Sequence, residues 1–158
     1  MKVALIMGSK SDYSKVEPAI LLLKSFNVEV SVRCFSAHRT PNELSEFVKE
    51  CNNDGTEVII GAAGMAAALP GVIASLTVLP VIGLPISGSV LDGMDAFLSI
   101  AQMPPGIPVA TVAINGSKNA AYLALEILAI KYSDIKEKLL QEREQMRLAV
   151  LKANEEIK

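Results

Sequence analysis

Apolar residues fall along this chain in two alternating rhythms. Short, nearly unbroken runs such as Val3-Ala4-Leu5-Ile6-Met7 are separated by longer stretches in which apolar positions recur every three or four residues. The first rhythm suits strands of a parallel sheet covered on both faces, the second helices packed against it. Strands are predicted at Lys2–Met7, 28–33, 57–60, 80–84 and 108–112, and helices at Tyr13–Ser25, Pro41–Cys51, 66–76, 91–101 and 117–130. Successive strands lie roughly 25 to 30 residues apart, the repeat length of a βαβ unit. In the second helix Thr40-Pro41-Asn42-Glu43 supplies an N-cap, a first-turn proline and a capping-box glutamate, and Leu44, Phe47, Val48 and Cys51 follow at helical spacing. Pro18 falls inside the first helix and asks for a late start or a kink.

These elements predict an α/β chain, a flavodoxin-like three-layer sandwich with a central parallel sheet, over residues 1–132. From 133 to 158 the pattern changes to a helix charged on most faces. Ile135, Leu139, Met146, Val150 and Ile157, at steps of 4, 7, 4 and 7, mark a stripe along one side. A helix of this length outreaches a small sheet. It is expected as a C-terminal arm packing on neighbouring subunits, the alternative being a helix laid back on its own domain.

Composition narrows the class. With 158 residues, 51% of them apolar and 20% charged, the chain fits one domain with a full core, and disorder is excluded. So little charge also hints at surface buried between subunits. A net charge of −2, a pI near 5.5 and no run of Lys or Arg argue against a nucleic-acid binder. The mild stretch 58–86 is broken by Gly61, Gly64, Pro70, Gly71, Pro80, Gly83 and Pro85, so no membrane span is expected. The opening run to Met7 is too short for a secretory signal and is read as a strand. Cys34, Cys51 and the single histidine offer no metal-ligand spacing; the cysteines are expected as small core residues in a reducing cytoplasm. No tryptophan and 4% aromatics speak against a flavin-stacking redox domain.

The polar and glycine-rich clusters follow the strands, where an open parallel sheet binds its ligands. After the first strand, Gly8-Ser9-Lys10-Ser11-Asp12 offers a tight turn, hydroxyls and N–H groups for phosphate, and a carboxylate for ribose hydroxyls. Serines and aspartates there also serve as ordinary helix caps. After the second strand, Ser36-Ala37-His38-Arg39-Thr40-Pro41 carries the only imidazole, on which proton transfer at neutral pH converges, beside a forked donor for phosphate or carboxylate. A lone histidine is often structural; its place on a loop at the ligand edge favours function. After the third strand, the run from Gly61 through Ala63, Gly64, Met65 and Leu69 to Gly71 is almost entirely small, leaving an apolar hollow or, alternatively, tight helix–sheet packing. Ser87-Gly88-Ser89-Val90-Leu91-Asp92-Gly93 after the fourth strand reads as a mobile loop or lid.

Gly-Ser-Lys-Ser-Asp, Ser-Ala-His-Arg-Thr-Pro, Ala-Leu-Pro-Gly, the segment Gln102-Met103-Pro104-Pro105-Gly106-Ile107-Pro108-Val109-Ala110-Thr111 and Asn119-Ala120-Ala121 occur in this order over nearly the whole chain. In these motifs the sequence resembles the PurE family. The resemblance implies a cytoplasmic homo-octamer that interconverts two carboxylated aminoimidazole ribonucleotides, with carbon dioxide trapped between the steps and no metal, ATP or organic cofactor. It assigns the ribonucleotide to Ser9, Ser11 and Asp12, its phosphate to Ser36 and Arg39, and the proton to His38. The imidazole and the migrating carboxylate go to the run from Ala63, Gly64 and Met65 to Leu69. The chain departs from the mutase class at Ala68, where that class usually has a second histidine. The resemblance therefore leaves open the family's carboxylase class, which uses free carbon dioxide, and a nucleotide-binding member with impaired turnover. Against the carboxylase stands Arg39, where that class typically has lysine.

Overall fold

A computed structural model of the chain describes residues 1–88 and 90–157; Ser89 of the expected loop and Lys158 of the expected terminal helix lie outside them. Its order is β1 (Lys2–Met7), a 3-10 turn (Lys10–Asp12), α1 (Tyr13–Ser25), β2 (Glu29–Cys34), α2 (Pro41–Cys51), β3 (Thr56–Gly64), α3 (Leu69–Ser75), β4 (Val81–Ile86), α4 (Met94–Ala101), β5 (Ala110–Thr111), α5 (Ser117–Ala129) and α6 (Ser133–Glu156). The five strands lie in the order β2-β1-β3-β4-β5, every neighbouring pair parallel.

The twofold alternation of the strands sorts their side chains into two cores. Val3, Leu5 and Met7 of β1, Val58, Ile60 and Ala62 of β3, and Ile82, Leu84 and Ile86 of β4 pack with α1, α5 and the start of α6. Ala4, Ile6, Ile59, Ala63 and Val81 face the other way, against α2, α3 and α4. The result is the expected three-layer sandwich. Gly61 and Gly83 sit opposite one another in register, where α3 and α4 settle closest to the sheet. A Cβ on Gly61 would stand 3.1 Å from Ile73, and one on Gly83 would run into Ile100.

Several limits differ from those predicted, for local reasons. β3 extends to Gly64, so Gly61–Gly64 is strand and not loop. Small residues have poor strand propensity, but hydrogen-bonded neighbours on both sides hold them extended. α3 starts at Leu69 instead of residue 66, because residues 65–68 form a bend in which Ala67 and Ala68 donate backbone N–H bonds to Met65 and Ala66. α4 starts at Met94, just after the left-handed Gly93 (φ 91°). β5 keeps only Ala110–Thr111, an edge strand paired to β4 at two positions. Pro18 lies within α1, which neither starts late nor ends early. Of the stripe on α6, Ile135 and Leu139 are buried in the domain's own core, while Met146, Val150 and Ile157 are exposed. No helix among the described residues is long and apolar enough to cross a membrane.

Candidate active site

In the order β2-β1-β3-β4-β5 the chain steps outward from β1 to β2 and then back across to β3, so strand order reverses at β1. Connections leaving β1 and β3 diverge there and open a crevice at the carboxyl edge. A cleft of about 710 Å³ occupies this place, a size suited to a small-molecule ligand. Its walls are the ends of the first four strands, and every candidate residue of the sequence lines it: Ser9, Ser11 and Asp12; Ser36, His38 and Arg39; Ala63, Gly64, Met65 and Leu69.

β1 hands over to the first wall through Gly8, whose N–H bonds Ala62 O at 3.0 Å and carries the ladder one residue past the strand. Ser9 then caps the 3-10 turn, its Oγ accepting from Ser11 N at 3.3 Å and lying 2.8 Å from Ser11 Oγ. Ser11 Oγ leans toward Asp12 Oδ1 at 3.5 Å. Burial pushes the Asp12 carboxyl above its ordinary value of 3.8, against the pull of Lys15 and of hydrogen bonds from Ser11 and Ser9. Ser9 caps the turn, and both serines line the cleft.

The second wall is a tight turn. Thr40 N–H donates to Ser36 O at 2.9 Å, and Thr40 Oγ1 accepts from Ser36 N at 2.9 Å, folding residues 36–40 onto themselves just before Pro41 opens α2. Ser36 Oγ accepts from Arg39 N at 3.3 Å and Arg39 Nε at 3.4 Å, while Arg39 Nη2 donates to Gly8 O at 3.3 Å. The guanidinium thus ties the turn after β2 to the loop after β1, with further N–H groups left for an anion. His38, at the crest of this turn, is exposed and engages no hydrogen-bond partner among the described residues. Its two ring nitrogens are available to a ligand.

The third wall is where small residues matter. Ala63 is nearly buried, and a Cβ on Gly64 would stand 3.0 Å from Ile86 O, so the ends of β3 and β4 lie backbone to backbone. Met65 turns left-handed (φ 56°) and holds its side chain 65% exposed over the cleft, whereas Leu69 is buried beneath it. Among the described residues no cluster of His, Cys, Asp and Glu is arranged to hold a metal ion. The cleft offers one imidazole, one carboxylate, hydroxyls, a guanidinium and an apolar floor, a set matched to a phosphorylated ligand and to proton transfer.

The AIR carboxylase family matches this chain over residues 2–149. The chain belongs to that family. The N5-carboxyaminoimidazole ribonucleotide mutase of Pyrococcus abyssi (strain GE5 / Orsay) is 56% identical over 146 residues, which is 92% of this chain and 84% of that protein. The protein of the same name from Methanocaldococcus jannaschii is 53% identical over 156 residues, covering 99% of this chain and 97% of its own. Among solved structures, the crystal structure of Treponema denticola PurE has a TM-score of 0.91 at 29% identity, covering 99% of this chain and 98% of that one.

This AIR carboxylase family chain also lines the cleft with residues that sequence reasoning did not single out. Lys15 is one, and it lies one helical turn after Asp12, close enough in spacing to share its face. Ser87 and Gly88, at the head of the loop expected after the fourth strand, close the fourth wall. Ala68 lines the cleft as well, at the residue before α3, the position at which the resemblance expects a second imidazole.

Proposed function

We propose that this chain is an N5-carboxyaminoimidazole ribonucleotide mutase, an isomerase of purine biosynthesis that forms 4-carboxy-5-aminoimidazole ribonucleotide. One observation carries the proposal: the chain's only imidazole, the Arg39 guanidinium and the Asp12 carboxyl share a single cleft floored with small residues. Relatives more than half identical bear the name of that activity. In this reading Ser9, Ser11 and Asp12 bind the ribonucleotide, Ser36 and Arg39 its phosphate, and Ala63, Gly64, Met65 and Leu69 frame the imidazole ring and the carboxylate that moves.

His38 is the proton carrier in both halves of the reaction. Its imidazolium protonates the carbamate nitrogen; the nitrogen–carbon bond breaks, its electron pair stays on nitrogen, and carbon dioxide leaves neutral. The aminoimidazole that remains is enamine-like, and its ring carbon attacks the carbon dioxide to form the new carbon–carbon bond. The hydrogen on that carbon then passes to His38, which restores the aromatic ring and the starting imidazolium. No atom is gained or lost, so the reaction needs no co-reactant. A small apolar floor favours recapture of carbon dioxide over escape by keeping the two fragments in contact. One imidazole suffices for this cycle, which is compatible with Ala68. We place the enzyme in the cytoplasm as a homo-octamer, with α6 as its assembly arm.

The test is to mix the purified chain with N5-carboxyaminoimidazole ribonucleotide and follow the C-carboxylated isomer with and without added bicarbonate. Conversion independent of bicarbonate is expected. Conversion only when bicarbonate is supplied would make the chain an aminoimidazole ribonucleotide carboxylase, and binding without conversion would make it a nucleotide-binding member of the family.

A further inference from the structure

Ser87 closes the carboxyl end of β4, and its polar partners come from two separated parts of the chain. Its backbone N–H donates to Asn115 Oδ1 at 3.1 Å. A backbone N–H has only a hydrogen to give, so Asn115 must present its carbonyl oxygen there and turn its amide nitrogen the other way. That nitrogen donates to Ser87 Oγ at 2.8 Å. Asn115 is itself fixed: its N–H bonds Pro85 O at 2.8 Å and its backbone is left-handed (φ 56°), a conformation asparagine tolerates well. From α1, Lys15 Nζ reaches Ser87 O at 2.6 Å and Ser87 Oγ at 3.3 Å.

An ammonium group can only donate, and so can the amide nitrogen of Asn115. Both acceptor positions of the Ser87 hydroxyl are therefore filled by donors. Its single hydrogen is left over, with no acceptor among the described residues. Ser87 is half-buried on the wall of the cleft, so this hydrogen is open to a molecule bound there. The neighbouring ammonium polarises the O–H bond and makes it a better donor to negative charge. The same ammonium pulls the Asp12 carboxyl down against the effect of burial.

We propose that Ser87 is a ligand-binding residue of this cleft, its hydroxyl aimed by Lys15 and Asn115 to donate to an anionic oxygen of the bound molecule. Lys15 and Asn115 are positioning residues in this scheme. The inference rests on the reading of the cleft as a ribonucleotide site, where two anionic groups are on offer: the carboxylate and the phosphate.

Titration calorimetry on the full chain decides it, with three probes: the C-carboxylated ribonucleotide, aminoimidazole ribonucleotide without the carboxylate, and the carboxylated nucleoside without phosphate. Ser87→Ala should weaken binding of the first probe about tenfold or more, as expected for one hydrogen bond to a charged group. A loss that disappears with the second probe assigns the hydroxyl to the carboxylate; one that disappears with the third assigns it to the phosphate. Lys15→Met should show the same pattern at smaller size, since the freed hydroxyl can turn away, and Ser87→Thr, which keeps the hydroxyl, should bind like wild type. Thermal melts run alongside identify a variant that fails to fold, in which case Lys15→Met carries the test. Equal affinity of wild type and Ser87→Ala for all three probes would overturn the assignment. Wild type that binds these probes but does not convert N5-carboxyaminoimidazole ribonucleotide would sink the proposed reaction and leave this binding role standing. Wild type that binds none would overturn both.

Discussion

A single imidazole in the whole chain makes His38 the residue on which the proposed reaction stands or falls. It sits exposed at the crest of a turn whose shape is fixed by Ser36, Thr40 and Arg39, none of which needs the ring to keep that shape. Removing the imidazole should therefore leave the cleft intact. His38→Asn is expected to lower kcat by a factor of about 10³, within the range for loss of a general acid–base, while ligand affinity stays within a few-fold. Stopped-flow assay together with calorimetry checks both halves, and retained turnover would take His38 out of the mechanism. A second residue-scale prediction concerns Glu57, at the opposite end of β3. Burial raises its carboxyl, but hydrogen bonds from Lys131 (2.8 Å) and Tyr132 (3.1 Å) outweigh this and hold it below its ordinary value of 4.5. A carboxyl lowered in the folded state stabilises it above the unfolded value, and that contribution is lost as pH falls through the folded one. Chemical denaturation of Glu57→Gln should thus differ from wild type at neutral pH, and the difference should close on acidification below about pH 4.5. A gap that persists at low pH would mean that shape, not charge, is what Glu57 contributes.

At the scale of elements, the close approach of α4 to the sheet depends on Gly83. A Cβ there meets Ile100, on the buried face of α4, and Val109, which packs against the same core. Gly83→Ala should destabilise the fold by about 1–3 kcal/mol, the usual cost of forcing one extra carbon into a filled core, read as a lower urea midpoint with an unchanged slope. Gly61→Ala, whose nearest neighbours stand at 3.1–3.3 Å, should cost less. These same glycines explain what the sequence conceals. β1, α1 and α2 have their predicted limits because an apolar run, a first-turn proline and a helical period announce them locally, although Thr40 turns its hydroxyl to Ser36 N and does not cap α2. β3 was cut short at residue 60 because Gly61–Gly64 carry no strand signal of their own; pairing with β1 and β4 holds them extended. The candidate site was legible for a related reason. Polar residues following an apolar strand mark the carboxyl edge of the sheet, so Ser9, Asp12, Ser36, His38 and Arg39 identify themselves. Lys15 and Asn115 do not, since each gains its meaning from Ser87, at separations of 72 and 28 residues along the chain.

For the whole molecule, α6 raises the question of where folding ends and assembly begins. Its 24 residues span about 36 Å at the helical rise, comparable to the domain itself. The inner part belongs to the domain: Ile135 and Leu139 are buried with α1 and α5, Tyr122 donates to Glu142 at 2.7 Å, and Arg143 pairs with Glu126. The hydrogen bond to the Glu142 carboxylate, with burial, pushes the Tyr122 phenol up to about 12. Among the described residues the outer part makes no such tie to the domain, only the Arg147–Glu144 pair within the helix itself. Met146, Leu148, Val150 and Leu151 are each 46–69% exposed, an apolar surface out of keeping with a helix that ends its work on its own domain. Two truncations separate the roles. Ending the chain after Glu144 keeps every inner contact named above, so the protein should fold with a melting temperature close to wild type but a smaller mass by light scattering. Ending it after Tyr132 also strips Ile135 and Leu139 from the core. Each such loss costs about 2–5 kcal/mol when only the side chain is removed, so this form should unfold or aggregate. An unchanged mass for the shorter cut would show that the exposed residues of α6 do not hold subunits together. A folded, smaller particle would give the outer turns of α6 to assembly and the inner turns to the fold.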